Sequence, residues 1–194
     1  FLKLGAQHVF AGIDHVLFVL SLLLGAASAA GGELGRGLRR VAWLITGFTL
    51  GHSVTLMVAA LGLVEPDPRL TESLIALSIV VVAVHNILRE NPGGRTLTSS
   101  AFGLVHGFGF ASVLADIGLP ARGAVPALLS FNVGIELAQL AIVGLFFPGL
   151  VWAGRRSWFR SRLLLPVSGL IAALALIWFV KRSFGLSGLA WLGE

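Results

Sequence analysis

The chain has 194 residues, of which 56% are hydrophobic and only 12% charged, with a mean hydropathy of +0.92. Soluble domains carry about twice that share of charge, so a water-soluble monomer and a disordered chain are both excluded. The net charge of +5 lies between apolar runs, which gives nucleic-acid binding no support, and a cysteine-free chain has no disulfides, thiolate ligands or Cys nucleophiles.

At about 20 residues per helical crossing, six stretches predict an all-α, polytopic membrane protein with a bundle of about six transmembrane helices. They are Leu4–Ala26, Val41–Leu63, Leu70–Leu88, Leu97–Ile117, Ala124–Trp152 and Leu163–Val180, in a single transmembrane domain over 1–194. Ala30-Gly31-Gly32 ends the first, and Glu65-Pro66-Asp67-Pro68 separates the second from the third. Asn91-Pro92-Gly93-Gly94 and a Gly118-Leu119-Pro120 hairpin flank the fourth, the weakest because it is rich in Gly and Ser. Pro148 is a candidate end of the fifth, and Arg155 to Arg162 reads as a basic loop before the sixth.

Nine basic residues fall in the loops after spans one, three and five: Arg36, Arg39, Arg40, Arg89, Arg95, Arg155, Arg156, Arg160 and Arg162. Lys3, Arg69, Arg122, Lys181 and Arg182 lie on the other side, so the positive-inside rule puts both termini outside the cytoplasm. The sequence opens at Phe1 without a basic n-region, and the first span is therefore not read as an intact signal peptide; an upstream extracytoplasmic segment is expected. The tail from Ser183 reads as an interfacial piece.

All five histidines, His8, His15, His52, His85 and His106, fall inside predicted spans, with Asp14, Glu136, Asn86, Asn132 and Gln139. An ionisable group in a bilayer costs at least ~2.5 kcal/mol, so such residues face each other, a ligand or water. Taking ~1.5 Å per residue, His15, His52, His106 and Glu136 reach similar depth near the bilayer centre on four different spans. His8 lies nearer the outer surface, and His85 with Asn86 nearer the inner one. Gly47 and Gly51 precede His52, while Gly103 and Gly107 bracket His106, a small-residue pattern that lets helices approach.

Imidazole with carboxylate suits divalent first-row ions such as nickel, cobalt, zinc and iron. The candidate ligands are His8, Asp14, His15, His52, His106 and Glu136, supported by Asn132, Gln139, Ser53, His85 and Asn86, with interhelical hydrogen bonding expected for His85. A divalent-metal permease is the leading reading, with lipid bilayer and metal ion as partners and a homo-oligomer or membrane complex left open. One alternative is a metal-dependent intramembrane hydrolase, with zinc on three histidines and a carboxylate base. The other is a haem-binding or assembly subunit with histidine axial ligands.

His8-Val9-Phe10-Ala11-Gly12-Ile13-Asp14-His15 resembles the H-x-x-x-G-x-D-H opening motif of the HupE/UreJ family. Gly51-His52-Ser53, the run Phe102 to Ala111 and Phe131-Asn132-Val133-Gly134-Ile135-Glu136 are similar to its second branch. Val9 stands where typical members have Pro, and Phe108 and Phe110 surround the single His106 where a His-rich element is usual. The resemblance implies a small multi-pass protein of the bacterial cytoplasmic membrane that carries nickel.

Overall fold

Inside a bilayer a chain must satisfy its backbone within itself, as helix or closed barrel, and among the described residues every regular element is helical. The computed structural model describes residues 1–89, 96–110 and 123–186. In chain order these form α1 (Leu2–Ala11), α2 (Ile13–Ala30), α3 (Leu34–Ala60), α4 (Pro68–Leu88), α5 (Thr96–Phe108) and α6 (Ala124–Gly154). A π-helical turn, Phe159–Leu164, then runs into α7 (Leu165–Phe184). Among the described residues five helices are long and apolar enough to cross a membrane: α2, α3, α4, α6 and the continuous stretch Phe159–Phe184. Large apolar side chains such as Leu50, Leu145 and Leu170 stay exposed along them, as lipid-facing residues must. The chain is a multi-pass helical membrane protein.

Local chemistry sets most of the boundaries. Gly31 and Gly32 end α2 with φ of 59° and 83°, a left-handed turn that other residues adopt at a cost. Asp67 Oδ1 accepts the Leu70 N–H at 3.0 Å, and Pro68 occupies the first turn of α4, where its missing N–H is harmless.

Four boundaries differ from the sequence expectation. The first span breaks at Gly12 into α1 and α2. Helix α3 starts about two turns before Val41, so Arg36, Arg39 and Arg40 sit on a helix, with Arg36 paired to Glu33 at 3.0 Å. Helix α6 passes through Pro148 to Gly154, because an apolar environment offers the backbone no alternative partner and a single lost hydrogen bond is tolerated there. The basic loop is short, since the π-helical turn takes up Phe159 to Leu164. The described fourth segment is the 13-residue α5. Its predicted remainder to Ile117, the Asn91–Gly94 turn, the Gly118–Pro120 hairpin and the tail beyond Leu186 lie outside the described residues.

Two buried clusters hold the bundle. One includes Val9, Leu23, Leu44, Phe131 and Phe147 from α1, α2, α3 and α6. The other joins Phe18, Phe48, Ile79 and Trp178 from α2, α3, α4 and α7. Glycine lets two helix pairs touch backbone to backbone. A Cβ at Gly51 would strike the Ser100 carbonyl and one at Gly103 the Phe48 carbonyl, seaming α3 to α5. Gly5 and Gly134 seam α1 to α6 in the same way, against Phe131 and Leu2.

Candidate metal centre

The break at Gly12 builds the site. In an unbroken helix His8 and His15 would stand about 10.5 Å apart along the axis. Gly12 instead takes φ −82° and ψ 97°, with its N–H donating to His8 O at 3.0 Å, and α2 restarts at Ile13. The two imidazoles thereby meet edge to face with centroids 4.5 Å apart. His52, in the second half of α3, has its ring centroid 6.0 Å from that of His8 and 6.4 Å from that of His15. One ring nitrogen from each of the three falls within 4.8 Å of the others.

His52 is completely buried and His15 is 6% exposed. His8 Nε2, both nitrogens of His15 and both of His52 are buried without a hydrogen-bond partner. A neutral imidazole has one donor and one acceptor, and leaving either dry costs ~1–3 kcal/mol. Several in one place form an arrangement that hydrogen bonding within the chain does not relieve. A divalent first-row ion takes the lone pairs directly, and three imidazoles without thiolate suit nickel, cobalt or zinc. Asn132 Oδ1 is also buried without a well-aligned partner, although it lies within interaction range of the His52 ring. Its Nδ2 donates to Leu128 O at 3.0 Å, which leaves the oxygen facing the site side of α6.

His106 sits one ring deeper. Its centroid is 5.1 Å from that of His15, and its Nε2 lies 2.9 Å from Ser78 Oγ. Ser78 has one hydroxyl proton and donates it to Ile75 O at 2.6 Å. With that proton on Ile75 O, Ser78 accepts from His106, which puts the ring proton on Nε2 and the lone pair on Nδ1, a buried nitrogen without a hydrogen-bond partner. Below, the ring rests on Phe18 and Phe48, at centroid distances of 5.0 and 5.1 Å.

Helix α4 serves as a depth scale for this column. Glu72, Ile75 and Ser78 lie three residues apart on one face, about 4.5 Å of rise each. At the Glu72 level a cavity of about 420 Å³ opens, and its lining includes His8, Asp14, His15, Ile75 and Arg182. Asp14 is turned to this mouth, where both its oxygens accept from Arg182, at 2.9 and 3.3 Å. Phe110 closes one flank, 4.3 Å from the His8 ring and stacked on Phe131 at 4.7 Å.

The remaining sequence candidates have other surroundings. Glu136 is half-buried on α6, and its carboxylate is not among the ligand atoms that converge. Gln139 Oε1 accepts from Thr49 Oγ1 at 3.1 Å, joining α6 to α3. Ser53 donates its hydroxyl to Thr49 O at 2.6 Å, as helical serines commonly do. Asn86 donates to Ser21 O at 2.8 Å, while His85 is exposed in the last turn of α4. In the sequence, Arg182 enters only as a topology signal, and Ser78 carries no signal of its own. The i, i+3, i+6 spacing of Glu72, Ile75 and Ser78 was the available sign.

No curated protein and no solved structure matches the chain significantly. A family model described as HupE / UreJ protein matches residues 1–182, which takes in every helix carrying the converging histidines. The chain belongs to the HupE/UreJ family.

Proposed function

We propose that this protein is a divalent-metal permease of the bacterial inner membrane, with nickel or cobalt as the favoured cargo. His8, His15 and His52 would form the binding site. The observation that carries the reading is the set of buried, unpartnered ring nitrogens drawn from three helices to within 4.8 Å. An enclosed set of neutral donors binds a cation without a fixed counter-charge, which keeps affinity moderate and exchange feasible.

On this reading the acidic Glu65–Asp67 turn and the C-terminal end of α7 face outward, because they lie on the side with fewer basic residues. The cavity beside Asp14 and Glu72 then opens to the exterior, the ion passes to the three histidines, and His106 Nδ1 receives it next. Protons compete at each station, since imidazole binds metal only when deprotonated.

Elemental analysis and calorimetric titration of the purified protein test the site. Wild type should bind one nickel or cobalt ion per chain, and His15→Ala or His52→Ala should abolish binding while helical content is retained. Proteoliposomes test the transport: saturable uptake that survives replacement of all three histidines by alanine would overturn the reading.

A further inference from the structure

Of the five buried serines among the described residues, Ser73, Ser78 and Ser99 donate their hydroxyls to backbone carbonyls, at 2.7, 2.6 and 2.7 Å. Ser21 of α2 and Ser168 of α7 do not. Both are 0% exposed, and neither Oγ has a hydrogen-bond partner within the protein. A helical serine commonly returns its proton to the preceding turn, so two that withhold it call for another partner.

The register of α4 against α7 brings that pair to one place. Glu72, Ile79 and Asn86 recur every seven residues on one stripe of α4, and Arg182, Ala175 and Ser168 do so in the reverse direction on α7. At one end of this antiparallel seam Arg182 Nε lies 3.9 Å from Glu72 Oε2. Two turns further along, Ile79 and Ala175 are both completely buried in the second hydrophobic cluster. Two turns beyond them Asn86 falls opposite Ser168. Asn86 is 2% exposed and donates through Nδ2 to Ser21 O at 2.8 Å, which brings α2 to the same level. Ser168 also follows the π-helical turn Phe159–Leu164 by four residues, a distortion that collects at functional sites.

We propose that Ser21, Asn86 and Ser168 form a binding site for an internal water molecule between α2, α4 and α7. A buried water takes about three hydrogen bonds from polar groups that the chain itself does not satisfy. Two hydroxyls, each able to donate once and accept twice, and the second N–H of the Asn86 amide match that need. The same chemistry disfavours a cation. Three neutral side chains fall short of the roughly six oxygens that a hard ion takes, and a positive charge stands beside them, since Arg160 donates to Ile87 O at 3.1 Å and to Arg89 O at 2.9 Å. The site stands apart from the permease reading, because it draws on none of the three converging histidines. Its position matters all the same. Ser21 follows Phe18 by three residues, about 4.5 Å of rise, and the His106 ring rests on Phe18 at 5.0 Å. The aromatic layer that ends the histidine column therefore has hydrogen-bonding groups close behind it.

A double-alanine cycle tests whether the two hydroxyls share one ligand. In unfolding titrations of the purified full chain in mixed micelles, Ser21→Ala and Ser168→Ala should each lower the folding equilibrium constant about fivefold, the net worth of one hydrogen bond. The double variant should also lose about fivefold, because either substitution already releases the water; independent hydroxyls would multiply to about 25-fold and overturn the site. X-ray radiolysis in water labelled with heavy oxygen reads the water itself, since hydroxyl radicals form where water is held. Leu22, next to Ser21, and Ile171, one turn from Ser168, are 7% and 4% exposed. They should take up the label in wild type and lose it in either alanine variant. Wild type carries the test alone if a variant does not fold, and unlabelled Leu22 and Ile171 there overturn the proposal. A folding constant that rises with sodium chloride and not with choline chloride gives the site to a cation and overturns it as well.

Discussion

Ser78 Oγ has one proton and two neighbours that want it, Ile75 O at 2.6 Å and His106 Nε2 at 2.9 Å. The shorter contact is to the carbonyl, and with the proton there the histidine donates through Nε2. The lone pair on Nδ1 then has no hydrogen-bond partner within the protein. Ser78→Ala removes that constraint and leaves a buried N–H dry, so thermal unfolding in detergent should show a loss of ~1–3 kcal/mol. Metal stoichiometry should stay at the wild-type value, because His8, His15 and His52 keep their geometry. Loss of binding in this variant would move His106 into the primary site.

Among the elements, the short gap between α1 and α2 matters most. A methyl group at Gly12 would press on His15 Nδ1, and it would also crowd the His8 carbonyl. Gly12→Ala should therefore tilt the His15 ring and weaken cobalt or nickel binding by about 10- to 100-fold, the range seen when groups supporting a metal ligand are altered. The helical spectrum should be nearly unchanged, and calorimetric titration measures the affinity. This break also marks where sequence reasoning reached its limit. The Gly12 position was visible in the H-x-x-x-G-x-D-H pattern, but depth counted along a straight helix put His8 well above His15. A bend converts axial separation into contact, and periodicity alone does not encode it. The glycines of α3 and α5 were easier, because their i, i+4 spacing beside His52 and His106 announces close helix approach. Asp14 was legible as an unusual intramembrane acid; its partner Arg182, 168 residues away, was not. Long-range ion pairs leave no periodic trace.

At the scale of the whole molecule, the orientation carries the entry route with it. The chain has no cysteine, so introduced ones report without background. Cysteine at Glu65, exposed before α4, should react with an impermeant maleimide from the outside, and cysteine at Trp158, exposed before the π-helical turn, only from the cytoplasmic side. The opposite pattern would make the Asp14–Glu72 cavity an exit. The polar column ends at His106 on the rings of Phe18 and Phe48, with Phe102 edge-on to Phe18 at 5.8 Å. Among the described residues no buried histidine follows His106 beyond these rings, and the buried side chains Ser21, Asn86, Ser99 and Ser168 are polar but neutral.

The glycine seams give this bundle a mechanical grain. Helices α1 and α6 touch backbone to backbone, as do α3 and α5, and neither pair can slide or separate without tearing a continuous line of contact. His8 rides on the first pair, His52 and His106 on the second, and His15 on α2, whose far end approaches α6 where Gly154 faces the Ala27 carbonyl. An ion held by His8, His15 and His52 would act as a rivet through three separately moving plates. Loading would then lock the relative positions of the plates, and release would free them, so the cargo itself would set how stiff the carrier is.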